Sequence, residues 1–514
     1  MRKYLYVCIA FLSVILASSC REDFEATLSN GRLEFSRDTL FLDTVFSNTS
    51  SSTYSFKVYN KSNNLITIPQ VGLAQGENSN YRLNVNGKAG KIFENIEILP
   101  KDSIFIFVEV TVDASIIDAN DFLYTDEIEF DSGINLQKIN LVTLIRDAIF
   151  LYPSRNTAGI KETLNLGTDE NGQPVEIEGF FLEDDELQFT NQKPYVIYGY
   201  AGVASGKTLQ IDAGARIYFH QNSGIIIADA AHLQANGTIS TDQDALENEI
   251  IFEGDRLEPR YKDIPGQWGT IWFTSGSTGN LNYVTIKNNE IGILAEGLSQ
   301  TQSAAVNIQN TQIYNSAFVG MYGINGSISG KNVVIGNSGL SNLWLRQGGS
   351  YNFIHSTFAN YWTQSFRNTP AVQIDNYLEV GDGLQVADLK EANFVNCIIY
   401  GNKNLELGFQ KVATAEFNFR FENCLIRFED PFNDFTETPE YQFDNEEFYT
   451  AILLNENPLF KATANNQYFI NEQSPAKNMG SINGFQQAPV DILGNSRTES
   501  IDLGAYQTSS FELN

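Results

Sequence analysis

Val306-Asn307-Ile308-Gln309-Asn310-Thr311-Gln312-Ile313 and Ile328-Ser329-Gly330-Lys331-Asn332-Val333-Val334-Ile335 decide the fold. Three later stretches follow the same template: Tyr351 to Phe358, Ala392 to Ile399 and Phe419 to Ile426. Each alternates apolar and polar residues, places a polar residue in one fixed slot, and resumes an apolar run. Asn310 and Asn332 are 22 residues apart (332 − 310), and His355 follows 23 residues later (355 − 332). Gly320-Met321-Tyr322-Gly323 and Asn342-Leu343-Trp344-Leu345 repeat at the same spacing of 22 (342 − 320). Later gaps are longer and carry polar insertions. A period of this length, made of short strands too close together for ordinary hairpins, signals stacked coils.

Stacking gives the period its physical meaning. Strands of neighbouring coils lie about 4.8 Å apart, so a fixed period puts like side chains on like. Asn310, Asn332, Asn396 and Asn423 are then expected to form a ladder at a turn, amide to amide, with His355 taking the slot in one coil. Residues 201–430 resemble the right-handed parallel β-helix family. The coil period is read from the residues; the handedness is what the resemblance implies.

The C-terminal part, 431–514, carries a second resemblance. Ser474-Pro475-Ala476, Asp491-Ile492-Leu493-Gly494-Asn495-Ser496-Arg497 and Asp502-Leu503-Gly504-Ala505-Tyr506 resemble the closing segment of many surface β-helix proteins. Lys477, Asn478 and Gln507 depart from that pattern. The resemblance implies a cover for the open end of the solenoid, where unpaired backbone must be protected. Arg497 is expected to pair there with Asp491 and Asp502.

The N-terminus reads as an export signal: Arg2-Lys3, an apolar run from Tyr4 to Leu16, then Ala17-Ser18-Ser19-Cys20. That run is too short to span a bilayer of about 30 Å. The small-small-Cys ending resembles the lipobox of bacterial lipoproteins, with Ala17 where Leu is usual. The resemblance implies removal of residues 1–19 and lipidation of Cys20. The alternative is an ordinary secretory signal with an incidental cysteine. Acidic residues in the tether 20–30 resemble the signal that sends lipoproteins to the outside of the outer membrane.

Residues 31–147 read as about seven short strands with turn clusters between them, which suits a β-sandwich. Thr39 to Phe46, Tyr54 to Tyr59, Tyr81 to Val85 and Ile104 to Val112 are the clearest. The pattern resembles the immunoglobulin-like modules of the hydin and abnormal-spindle type, and it contains no catalytic motif. Residues 148–200 read as transitional, with Glu183-Asp184-Asp185-Glu186 as an exposed charge run. The expected fold class is therefore all-β: a sandwich, then a parallel β-helix, then a cap.

Composition bounds the partners. The chain has 514 residues, with 33 Lys and Arg against 62 Asp and Glu. Loss of Arg2 and Lys3 leaves a mature formal charge of −31 (31 − 62). Such a surface repels phosphates, which argues against nucleic acid. The expected partners are a membrane, through the lipid, and a polysaccharide or a surface protein. Only three histidines occur, at scattered positions, and no metal spacing is present, so a zinc site is not expected. Calcium is the one cofactor that the acidic balance leaves open. Of the four cysteines, Cys8 leaves with the signal and Cys20 takes the lipid. Cys397 and Cys424 occupy the same slot of adjacent coils, which leaves a disulfide and a pair of buried thiols both open.

Candidate ligand-binding residues are Trp344, Arg346, Trp362 and Arg367, since an arginine beside an aromatic can hold an acidic sugar. Lys331, His355 and Arg420 also fall on outward positions of the coils. No catalytic residue is assigned. A polysaccharide lyase needs a base beside a group that neutralises a carboxylate. A hydrolase needs a pair of carboxylates. Neither cluster stands out on the repeated strands. The expectation is a tethered binding or adhesion protein, with a surface polysaccharide lyase as the alternative.

Overall fold

The computed structural model describes residues 26–112, 121–168, 172–297, 305–381 and 383–512. The signal, Cys20 and most of the tether lie outside the described residues, as does Asp382. The chain divides into two compact units, Met1–Asp147 and Ala148–Asn514. The fold is all-β with large parallel sheets.

The first unit has two mainly antiparallel sheets. One contains Ile66–Leu73, Ile92–Ile98, Asp121–Phe130, Gln137–Arg146 and Thr39–Phe46. The other contains Glu34–Phe35, Tyr54–Tyr59, Ser103–Val110, Tyr81–Val85 and Lys88–Gly90. Alternation explains the core. In Ser103–Val110, Ile106, Val108 and Val110 are buried while Phe105 and Phe107 face solvent. Those inward residues meet Ile128, Phe130, Ile139 and Leu141 of the other sheet in one cluster. Thr39–Phe46, Tyr54–Tyr59 and Tyr81–Val85 fall where the alternation puts them.

The second unit is built from a parallel sheet of 19 described strands and another of 10. The chain visits the large sheet, crosses to the smaller one, and returns one strand further on. Ala305–Ser316 pairs in parallel with Ser327–Ser338, which pairs with Gly349–Ile354 and Thr357–Asn360. Val319–Ile324 pairs with Leu343–Arg346 in the smaller sheet. The register reproduces the sequence period, since Thr311 faces Val333 and Met321 faces Leu343. Inward side chains such as Ile308, Ile335, Leu345, Phe353 and Phe394 form one continuous buried cluster.

Two boundaries move. Ile149–Leu151 already pairs in parallel with Tyr195–Ile197, so parallel pairing starts inside the segment expected as transitional. Its strands of two or three residues are too short for alternation to show. At the far end, Tyr449–Thr450 and Leu453–Leu454 still pair with the large sheet, beyond the expected limit at residue 430. The acidic run is an exposed single turn, Asp184–Glu186, with a capping box from Glu183 and Glu186.

The closing segment also differs from the expected end cover. Aromatics from Phe428 to Tyr449 pack on one another beside the last strands of the large sheet. Residues 458–506 instead lie along the outer side of that sheet. Tyr468, Ile492, Ala505 and Tyr506 cover Val334 and Ala359. Ile470, Ala476 and Leu503 cover Ile398, Tyr400 and Leu425. The reason is visible in the register: Val334, Ile398 and Leu425 are apolar yet point outward, so that flank needs a cover. Asp491 and Asp502 accept bonds from loop backbone groups, including the amides of Leu493, Asn495, Asn478 and Thr508. Buried Arg497 donates to the Gly504 carbonyl at 3.0 Å and makes no ion pair within 4 Å among the described residues, contrary to the expected pairing. The two aspartates still offset its charge at longer range, and burial lowers its pKa to about 10.

Candidate functional site

The ladder slots share one backbone conformation. Asn310, Asn332, His355, Asn396 and Asn423 all have positive φ, between 47° and 57°. Asparagine tolerates that region better than other non-glycine residues. Asn310 donates to Asn282 and Asn332 donates to Asn310, both at 2.9 Å. Asn396 donates to His355 Nε2 at 2.9 Å, so the ring takes part as a neutral acceptor. The expected ladder is interrupted: among the described residues no hydrogen bond joins Asn332 to His355, and Asn423 donates to the Met479 carbonyl rather than to Asn396. Burial pushes the His355 pKa well below its usual value. A second amide series joins Asn288, Asn315, Asn466 and Asn337; Asn315 and Asn337 are again 22 residues apart (337 − 315), and Asn466 enters from the closing segment. His355 is therefore a fully buried structural group.

Trp344 and Arg346 lie on the outer face of the smaller sheet. Parallel register aligns Leu294, Tyr322, Trp344 and Gln373 in one outward column. Arg346 sits over the Trp344 ring at 5.1 Å, and its Nε is 3.6 Å from Asp375 Oδ2. Trp344 Nε1 donates to the same oxygen at 2.8 Å, and Gln373 donates to Oδ1. Asp375 has no exposed surface, and desolvation raises its pKa to about 6 despite these donors and Arg346. Asp375 ends the strand Val372–Asp375, and the hairpin Tyr377–Val380 with Gly383–Val386 follows.

Trp362 and Arg367 are not surface groups. Trp362 is 7% exposed and donates to Ser365. Arg367 is 3% exposed and forms a two-pronged pair with Glu406 at 2.7 and 2.6 Å. Glu406 also accepts from the backbone of Ala371 and Lys403. Desolvation raises the Glu406 pKa against the pull of Arg367. This buried pair pins the loops carrying Asn368, Asn402 and Asn404.

Those loops form one wall of a groove of about 600 Å³. Gln373, Gly408 and Gln410 make its floor, and Phe409, Phe428, Phe435 and Tyr441 make an aromatic side. Gly408 keeps the floor low, because a side-chain carbon there would come within 2.4 Å of the Gln373 side-chain Oε1. Tyr441 is fixed by its hydroxyl, which donor Phe409 N reaches at 2.8 Å. Asn368 and Asn404 are exposed, and their amides have no side-chain hydrogen bond among the described residues. Apolar rings together with free amides in one groove suit the apolar and hydroxyl surfaces of a sugar. Trp344 and Arg346 stand next to this groove through Gln373 and Asp375, whereas Trp362 and Arg367 support it from behind. The rings were missed in the sequence because Phe409 and Phe428 fall outside the repeated template and Phe435 and Tyr441 come from the stretch after it.

Cys397 and Cys424 stack as expected, and both are free, fully buried thiols. Each points at a backbone carbonyl, Phe353 for Cys397 and Phe394 for Cys424. Burial raises the Cys424 pKa well above its ordinary value. Among the described residues no cluster of His, Cys, Asp and Glu could hold a metal ion, and no helix is long and apolar enough to cross a membrane.

No protein-family model matches the sequence, and no curated protein matches it. Solved structures with local likeness include a family 123 glycoside hydrolase from Clostridium perfringens, at TM-score 0.16 and 9% identity. That match covers 22% of this chain and 26% of the hydrolase. A PapD-like domain of human CEP192 matches at TM-score 0.15 and 8% identity, over 25% of this chain and 94% of that domain. The E. coli chaperone DraB matches at 0.16 and 8%, over 24% and 57%. Likenesses this slight carry no argument about fold or function.

Proposed function

We propose that this chain is a lipid-anchored surface protein that binds a glycan in the groove beside Gln373 and Tyr441. In this reading Cys20 carries the lipid and holds the protein at the outer membrane, facing outward. Residues 31–147 are an immunoglobulin-like β-sandwich, and the parallel sheets that follow are a right-handed parallel β-helix. The observation that carries the binding role is the groove of about 600 Å³ lined both by aromatic rings and by the free amides of Asn368 and Asn404. Such a surface stacks the apolar face of a sugar and bonds its hydroxyls.

Binding of the full chain to an oligosaccharide array, followed by titration of the best ligand, tests this reading. Replacing Asn368 and Asn404 with Ala is expected to weaken binding at least fivefold with the fold unchanged. Unaltered affinity in that double variant would remove the groove from consideration. One observation favours the polysaccharide-lyase alternative, the Asp375 carboxyl raised to about 6 beside Arg346. Against it, both Asp375 oxygens are occupied and buried. Unsaturated products released from an acidic polysaccharide would decide for the lyase.

A further inference from the structure

A second groove, of about 490 Å³, lies on the large sheet, away from the residues of the first. Its floor is the outward face of four adjacent strands. Ser329, Asn352, Asn393 and Arg420 form one column of the parallel register; Lys331, Ile354, Val395 and Glu422 form the other. Asn483 and Gln487 of the helix Ile482–Gln487 make a wall.

The amides of this floor are already engaged. Asn393 donates to Asn352 at 2.8 Å and to Glu391 at 3.0 Å, and Asn352 donates to Glu391 at 3.0 Å. The amide oxygens and hydroxyls stay in fixed positions as a result. The cations are different. Neither Lys331 nor Arg420 has a carboxylate within 4 Å among the described residues. Among the described residues, the Arg420 side chain donates hydrogen bonds to the Glu447 carbonyl and the Thr450 hydroxyl. Acids outnumber bases 62 to 33 in the chain, yet this groove carries a cation without a carboxylate within 4 Å at each end.

We infer that this groove binds an acidic polysaccharide chain, with Lys331 and Arg420 each holding one anionic group. Three strand spacings separate the two cations, about 14 Å at about 4.8 Å each. A single sugar reaches one cation only; a chain with repeated charges reaches both, and its hydroxyls meet the amide column between them. Glu422 beside Arg420 keeps the groove from being a general anion trap. The net negative charge of the chain opposes approach, but over distances beyond about 8–10 Å salt screens it, and the contacts at Lys331 and Arg420 are local. The inference is independent of the first groove, because the two share no residue.

The test is titration of the full chain, in detergent, with polygalacturonate, dextran sulfate and neutral dextran. Binding of polygalacturonate above dextran supports a carboxylate ligand, and binding of dextran sulfate above dextran supports a sulfate ligand. Equal binding of neutral dextran overturns the inference, as does no binding to either acidic chain. Lys331→Gln and Arg420→Gln are each expected to weaken binding about two- to fivefold, the range of an exposed ion pair. The double variant is expected to lose about tenfold, with an unchanged melting curve. Full affinity in the double variant would overturn the assignment. Monomeric galacturonate is expected not to compete at the sugar concentration at which the polymer saturates. The Asn368 and Asn404 variant of the first groove is expected to bind the acidic chain normally, which separates failure of one site from failure of the other.

Discussion

At the scale of single residues, His355 shows how one backbone slot accepts two chemistries. The slot demands positive φ and a side chain that bonds along the stack, and Asn396 supplies the donor to the His355 ring. The buried ring is held neutral, with its pKa well below the ordinary value near 6.5. The unfolded chain therefore binds more protons than the folded one as pH falls through about 6.5, so this residue removes stability in that direction. Raised carboxyls such as Asp375, whose pKa is about 6, work in the opposite sense, favouring the folded state as they protonate. His355→Asn is expected to preserve the fold and to flatten the loss of stability below pH 6.5, measured as melting temperature against pH. An unchanged pH profile would show that His355 is not the sensitive group. Arg367 and Glu406 form the opposite case, a buried charged pair. Arg367→Leu leaves Glu406 buried without its partner and is expected to cost about 3–5 kcal/mol in denaturant unfolding. The cysteine pair yields a third expectation. With Cys397 and Cys424 as buried thiols, a chain cut and lipidated as proposed should titrate two thiols when unfolded without reductant and none when native. A count of zero after unfolding would mean a disulfide.

At the scale of elements, outward columns decide what each strand meets. Gly336 belongs to the covered flank of the large sheet, where a side-chain carbon would come within 2.4 Å of the Tyr468 ring. Gly336→Ala is expected to loosen residues 458–506 at a cost of about 1–3 kcal/mol. Faster proteolysis and hydrogen exchange around Tyr468, with the parallel strands still protected, would be the signature. The coils themselves were legible: the alternation in Val306–Ile313 and the recurrence of Asn310 and Asn332 gave both strand positions and register. The first parallel pair, Ile149–Leu151 with Tyr195–Ile197, was not, because three residues are too few to display a period. The candidate site was half legible. Trp344 and Arg346 fall on an outward face by register, and parity alone puts them there. Nothing local in Arg367 separates a surface arginine from one whose partner lies 39 residues away at Glu406.

At the scale of the whole molecule, charge and attachment matter most. The proposed anchor depends on one atom, the Cys20 sulfur, so Cys20→Ala is expected to release the chain from the membrane fraction and abolish incorporation of labelled palmitate. Retention of the variant in membranes would point to another means of attachment. The sequence by itself determined the repeat, because side-chain period and strand spacing are local properties that stacking only multiplies. It also marked the ladder slots, since asparagine tolerates positive φ better than other non-glycine residues, with His355 in the same conformation in one slot. Tertiary structure alone decided which faces remain open. An outward Val334 or Ile398 and an outward Asn352 or Gln373 occupy equivalent positions in their strands. Only the return of residues 458–506 over the apolar flank covers the first pair. The flanks carrying the second pair are thereby left with grooves, because a distant segment buries apolar surface where it finds it and leaves polar surface to water.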